Sequence, residues 1–355
     1  MFAKRCLAAL IAWAVIVSPA IAADWDQITI HGYSSFEFER QIETEGEGAG
    51  DANGSFDADL IDLVLGFQVS DRLRAAMDIT WEHGAASEDG RGNVALEYGF
   101  AEYTVSDLFK IRVGKMFTPF GIFNEIHTAK PAFLTVKEAP STNKPKRIVA
   151  GAYRFFPRWG TGIGFQGEGI FHDRSFDYDV VIANGEQDNS NPFEEDDNIA
   201  KSVTARFRID ATPALKIGVS VYYDHITEPG FDAIWSHGLQ MEYLKRRLRV
   251  LTEVVLGRKD LAAGGSLDQL GWFVQPSFHF DNGVTPYLQY GYIDPDLDTN
   301  NDAGFDLIIG VNYEVSPFFM IKVENNYFKG DSASSLGAFP GSSYNEIKAA
   351  VVLGF

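Results

Sequence analysis

Seven basic side chains crowd one stretch of this chain. Lys130, Lys137, Lys144, Lys146, Arg147, Arg154 and Arg158 fall between Thr118 and Thr161, against only Glu125 and Glu138, a local net charge of +5 in a chain whose formal charge is −19. Ammonium and guanidinium groups collected in a narrow, low-dielectric passage attract anions by several kT and focus their flux. The stretch is also anomalously long. It runs for forty-four residues without a clear period, whereas ordinary connections are about 4 to 6 residues and structureless ones beyond ~15 are usually functional or disordered.

Other constellations carry less. Asp294 to Asp302 and Asp188 to Asn198 are rich in oxygen ligands and could hold Ca2+ at acidic extracellular loops, bridging them to anionic lipid headgroups. The first run lacks the Gly at position 6 and the Glu at position 12 of a calcium-binding hand, where Phe305 stands instead. His31, His83, His127, His172, His225, His237 and His279 are scattered without metal-ligand spacing. An enzyme would need a serine, a histidine and an orienting polar group within mutual reach. His127 near Asn124 and Thr128, or Ser236 beside His237, are the nearest approaches, and sequence proximity does not make them a triad. No catalytic, metal or cofactor site is therefore assigned, and the chain reads as a non-enzyme.

The elements that must position the basic stretch are strands. Leu73, Ala75, Met77, Ile79 and Trp81 alternate with Arg74, Ala76, Asp78 and Thr80, and similar alternation marks 201–209, 247–256 and 319–327. Sixteen such segments can be counted: 28–39, 57–69, 73–83, 93–105, 109–117, 162–171, 175–183, 198–209, 214–226, 232–244, 247–257, 269–280, 284–292, 303–314, 318–328 and 344–355. Seven tight turns, such as Ser70-Asp71-Arg72 and Asp281-Asn282-Gly283, alternate strictly with longer polar connections. An even strand count with short turns on one side and long loops on the other is the asymmetry of outer-membrane barrels. The expected fold is all-β: a sixteen-stranded antiparallel transmembrane β-barrel whose third long loop, 118–161, folds inward. A further strand over Arg147 to Phe156 would make eighteen the alternative.

The ends agree with export. Lys4 and Arg5, the apolar run Leu7 to Val17 and Ala20-Ile21-Ala22 read as a signal peptide over 1–22, which leaves 23–355 as one barrel domain with a net charge of −21. That balance excludes the basic footprint of nucleic-acid binding. Cys6, the only cysteine, falls in the signal. The terminal strand ends on Phe355, which resembles the C-terminal signature of outer-membrane barrels.

The run Ile111-Arg112-Val113-Gly114-Lys115-Met116-Phe117-Thr118-Pro119-Phe120-Gly121 resembles the strand-to-loop motif of the phosphate-selective porin O/P family. The resemblance implies a homotrimeric channel in the bacterial outer membrane, bounded by lipid, with an anion-preferring lumen and a third loop that narrows the pore. The constriction is then expected from Lys130, Lys137, Lys144, Lys146, Arg147, Arg154 and Arg158. The facing wall is expected from Lys110, Arg112, Arg206, Arg208, Arg247 and Arg249, with Arg74, Lys216 and Lys322 near them. These wall cations lie towards the short-turn ends, while Glu37, Glu39, Glu82, Asp224 and Glu324 lie nearer the long loops, so an acidic mouth above a basic throat is expected. The opposing expectation is that wall cations pair with cross-strand carboxylates and leave little net field. On the first reading the chain passes small anionic or neutral solutes by diffusion. A sheath or scaffold for an envelope or electron-transfer partner is the alternative, and it would not need a charged inward loop.

Overall fold

A computed structural model describes residues 27–45, 53–82, 93–185, 196, 198–331 and 343–355. The expected signal peptide and most of the acidic run Asp188 to Asn198 lie outside the described residues. Sixteen strands follow in order: β1 (Ile28–Glu45), β2 (Ser55–Ser70), β3 (Leu73–Glu82), β4 (Asn93–Ser106), β5 (Phe109–Phe117), β6 (Trp159–Phe171), β7 (Arg174–Ala183), β8 (Ser202–Thr212), β9 (Leu215–His225), β10 (Phe231–Lys245), β11 (Leu248–Leu261), β12 (Ser266–Phe278), β13 (Val284–Asp294), β14 (Gly304–Ser316), β15 (Phe319–Gly330) and β16 (Ser343–Gly354). Each pairs antiparallel with its neighbours, and β1 meets β16 in the register Phe36↔Val351, which closes the barrel. Closure leaves no unpaired edge, so the backbone groups can be satisfied without water. Among the described residues no helix is long and apolar enough to cross a membrane.

The period of two sets the two faces. On β3, Asp78 and Thr80 are buried inside while the apolar series from Leu73 to Trp81 faces out. On β16, Ile347, Val351 and Leu353 are exposed outside while Glu346, Lys348 and Val352 are buried within. Aromatic side chains gather in two bands. At the long-loop end Trp272 packs on Tyr290 at 5.4 Å, Tyr290 on Phe305 at 5.6 Å, and Phe305 on Tyr327 at 5.9 Å. At the short-turn end Phe109 stacks on Phe165 and Phe176 on Phe207, both at 5.9 Å. On β15, Tyr327 and Phe319 lie ~26 Å apart along the strand, from its rise of ~3.3 Å per residue. A ~40° tilt makes that about 20 Å of height, close to the ~25 Å apolar band of outer-membrane barrels.

One set of boundaries changes, and the eighteen-stranded alternative falls away. Several strands run further than the alternation indicates, β1 reaching Glu45, because the ladder continues past the region where lipid demands apolar side chains. The segment from Arg147 to Phe156 is not a strand. Pro145–Arg147 forms a 3-10 turn, and the residues after it cross the barrel interior as irregular chain, so the count is sixteen.

Candidate functional site

The long connection between β5 and β6 fills much of the lumen, and its own sequence explains how it is held. At its root the Thr118 amide donates to Arg158 O at 3.0 Å, and Asn124 Nδ2 bridges the two arms through Thr118 O and Arg158 O at 2.8 and 2.7 Å. Gly121 follows with φ +64°, a conformation glycine adopts freely. A Cβ there would strike Glu253 of β11, whose carboxylate accepts from the Ile122 amide at 2.6 Å. Phe120 stacks on Phe156 at 4.2 Å, and Phe123 packs between Phe133 and Phe273 of β12. Short elements at Asn124–Ile126, Lys130–Ala132 and Pro140–Asn143 shape the rest, two of them with proline in the first two positions.

The inner face of the barrel is built to receive this plug. Over β9 to β16 it carries apolar residues that a water-filled lumen would not favour, among them Tyr222, Ile234, Val255, Phe273, Ile293 and Phe328. These pack against Phe120, Phe123, Ile148, Phe155 and their neighbours in the loop. Polar contacts complete the seam. Gln269 of β12 exchanges two hydrogen bonds with the backbone of Tyr153, both 2.8 Å, as a strand neighbour would. Gly271 allows the closest approach, since a Cβ there would lie 2.3 Å from Ser141 O. Burial of a single large apolar side chain stabilises by ~1.5–3 kcal/mol, so the clustered aromatics are enough to hold a loop with little secondary structure.

The seven loop cations differ in what they meet. Lys130 contacts Asp59 at 2.9 Å and Glu37 at 3.4 Å, and Lys137 contacts the same two carboxylates, which lie on β2 and β1. Arg147 reaches Glu346 of β16 at 3.3 Å. Within the loop, Glu138 holds Lys144 at 3.1 Å and Arg158 at 2.6 Å. Burial would raise the Glu138 pKa, but Lys144 and Arg158 outweigh it and hold the carboxyl well below its usual range. Lys146 and Arg154 are exposed, and Lys144 is partly so. Three of the seven cations therefore dock the loop onto an acidic wall, and two more are paired inside the loop.

The wall cations are paired as well. Arg74 and Arg112 share Glu102 at 2.6 and 2.7 Å, and Lys110 meets Glu168 at 2.9 Å. Arg208 meets Asp177 at 2.6 Å, Arg249 meets Glu242 at 2.8 Å and Lys216 lies 3.6 Å from Asp210. Arg206 bonds Asp179 at 2.8 Å and also Glu125 of the plug. Seven wall cations thus face seven carboxylates, so the expected bare basic throat is replaced by a near-neutral ladder of pairs. Two positions also differ from expectation. Arg247 precedes β11 in an exposed turn and pairs with Asp281 at the rim, and Lys322 is buried beneath the plug.

Exposure differs around the inner wall. Charged groups on β1, β2 and β14 to β16, such as Glu37, Asp59, Glu324 and Lys348, are buried where the plug docks. On β3 to β8, Arg74, Arg112, Lys110 and Arg208 keep solvent contact, while Asp78, Glu97, Glu102 and Arg206 are buried. Glu125 stands on the plug's side of this space with 33% of its side chain exposed. Arg206, Arg208 and Arg112 all lie near enough to lower its pKa against the opposing effect of burial. Here a carboxylate of the plug stands against arginines of the wall. Sequence reasoning counted Glu125 only as a counter-charge and missed Glu102 and Asp179; their signal was the presence of inward carboxylates opposite inward arginines on adjacent strands.

The other sequence candidates resolve into structural roles. His127 is held between Asn124 O at 2.7 Å and Glu97 at 3.4 Å, edge-on to Phe117. Ser236 donates to Phe155 O from the inner face, while His237 is exposed on the outer one. In the loop from Asp294, the carboxylates of Asp294 and Asp296 accept from backbone amides two residues on. Among the described residues no group of three or more His, Cys, Asp or Glu is arranged to hold a metal.

Neither a known family nor a curated protein matches this sequence. Solved structures do match the fold. An anion-selective porin from Comamonas acidovorans superposes with a TM-score of 0.68 at 12% identity, covering 92% of this chain and 99% of the other. The barrel has the porin fold. The outer-membrane channel DcaP of Acinetobacter baumannii gives 0.65 at 12% identity over 94% of this chain and 99% of its own. OmpF of Salmonella typhi, solved with daunomycin, gives 0.65 at 11% identity over 92% of this chain and 97% of its own.

Proposed function

We propose that this protein is a porin of the bacterial outer membrane that lets small hydrophilic solutes diffuse through the gap between its inward loop and the β3 to β8 wall. The observation that carries this reading is Glu125 on the plug, one third exposed, paired with the buried Arg206 of the wall and close to the partly exposed Arg208 and Arg112. A scaffold or sheath has no need of such a lining. Short turns would face the periplasm and long loops the exterior, as in other outer-membrane barrels.

Selectivity on this reading is weak and tilted to anions. The paired ladder contributes little net field, whereas Lys146 and Arg154 are exposed on the plug and Lys144 is partly so. Strict phosphate specificity, the finer implication of the Ile111–Gly121 motif, is disfavoured because the arginines it would use are already bonded to carboxylates. A homotrimer is in keeping with the trimer form in which the structurally similar OmpT of Vibrio cholerae has been solved.

The test is electrical. The refolded protein in a planar bilayer should give discrete conductance steps and a modest chloride-favouring zero-current potential across a potassium chloride gradient. A folded barrel without conductance would overturn the channel reading, and a potassium-favouring potential would overturn the anion tilt alone.

A further inference from the structure

The turn from Lys130 to Val136 lies against the β14 to β16 wall with Lys130, Phe133, Thr135 and Val136 buried, and after a short 3-10 element its backbone has no regular partner. Irregular buried chain must still satisfy its carbonyls. One wall side chain supplies most of the donors. Lys322 of β15, 0% exposed, donates from Nζ to Lys130 O at 2.7 Å, Phe133 O at 2.6 Å and Thr135 O at 3.1 Å. Its three protons meet three carbonyls and no carboxylate, and the Phe133 ring lies 4.7 Å away. Asn312, its cross-strand neighbour on β14, donates to Leu134 O at 2.9 Å. Glu324, two residues along β15, accepts from the Val136 amide at 2.8 Å. The turn answers in kind, with Lys130 reaching Asp59 and Glu37 while also donating to Val136 O.

Burying an ammonium group in this way is costly unless its geometry is fully used. Packing alone does not require it, since Val136 already rests on Ala350 and Val352 beside Lys322. A tripod of charged hydrogen bonds adds specificity, because the three carbonyls converge on Nζ only in the docked conformation of the turn.

We propose that Lys322 is the positioning residue of the constriction, clamping the turn Lys130–Val136 to the β14 to β16 wall so that the passage on the opposite side stays clear. The inference rests on the channel reading above. Released from the clamp, the turn remains tethered in the lumen and obstructs the passage intermittently.

Single-channel recording of Lys322→Met tests this. Losing even one charged hydrogen bond corresponds to about a tenfold change in equilibrium, so brief closures should occupy about ten times more of the open record, with the full open conductance unchanged. Lys322→Arg, which keeps the charge and donors, should restore part of the quiet behaviour, a rescue that a purely structural loss would not show. Asn312→Ala, a milder release of the same turn, should flicker less than Lys322→Met, and it decides the matter if Lys322→Met does not assemble. Traces as quiet as wild type would overturn the proposal, as would a stable larger conductance. Absence of conductance in the wild-type protein would instead overturn the channel reading.

Discussion

Neutralising Glu125 is the sharpest probe of the passage. Glu125→Gln removes one negative charge from the plug and frees part of Arg206, while Ile122, Phe123 and Asn124 keep the loop anchored beside it. Arg206 retains Asp179 at 2.8 Å, so no wall cation is stranded. For a small ion passing at ~7 Å, a unit charge acts through an effective dielectric of ~20 with ~2.4 kcal/mol. At 0.1 M salt a Debye length of ~10 Å halves this to about 1.2 kcal/mol, or roughly a sevenfold change in occupancy. The chloride-to-potassium permeability ratio should therefore rise by at least that factor in dilute potassium chloride. At 1 M salt, with a Debye length of ~3 Å, the change in occupancy should shrink to about 1.5-fold. The assay is the zero-current potential of single channels at both salt levels. A well-assembled variant whose ratio stays within about twofold of wild type in dilute salt would show that solutes do not pass Glu125.

The exposed loop cations offer a second test: Lys146→Glu with Arg154→Glu should shift selectivity towards cations without affecting assembly, since surface substitutions usually stay within about ±0.5 kcal/mol. Arg147→Glu should differ, reducing heat stability because it sets a carboxylate against Glu346, and unchanged melting would contradict the ion pair. Gly271→Val should push the plug from β12 and alter conductance while circular dichroism keeps its β spectrum, since a Cβ there meets Ser141 O and Phe155. The Glu138 carboxyl has its folded-state pKa below the unfolded value, so its ion pairs stabilise the plug fully above about pH 4.3. That contribution is lost as pH falls through the folded value, so protease accessibility of the loop should rise only in that acid range. Glu138→Gln should remove the acid step.

Much of the barrel was legible because its constraint is local and repetitive. A strand between lipid and lumen must alternate, so Leu73 to Trp81 and Ile347 to Phe355 show their outer face in sequence, and tight turns mark the hairpins between them. The departures are equally physical. The inward apolar residues Val255 and Phe273 break the polar-inside rule, and a reader of the sequence could have taken them as a sign that something packs against that wall. The loop's charge was legible as a number and not as a role.

What the sequence by itself determined was the sixteen-stranded closed sheet, its two faces and the anomalous basic loop that enters it. Only the tertiary structure decided which of those charges are spent. Lys130, Lys137 and Arg147 meet carboxylates from strands far away in the chain, the carbonyls of the turn find Lys322 at 187 to 192 residues' separation, and Glu125 finds its arginines on β5 and β8. An irregular loop has no period to tell which way a side chain points, and a long-range ion pair depends on the distance that barrel closure sets.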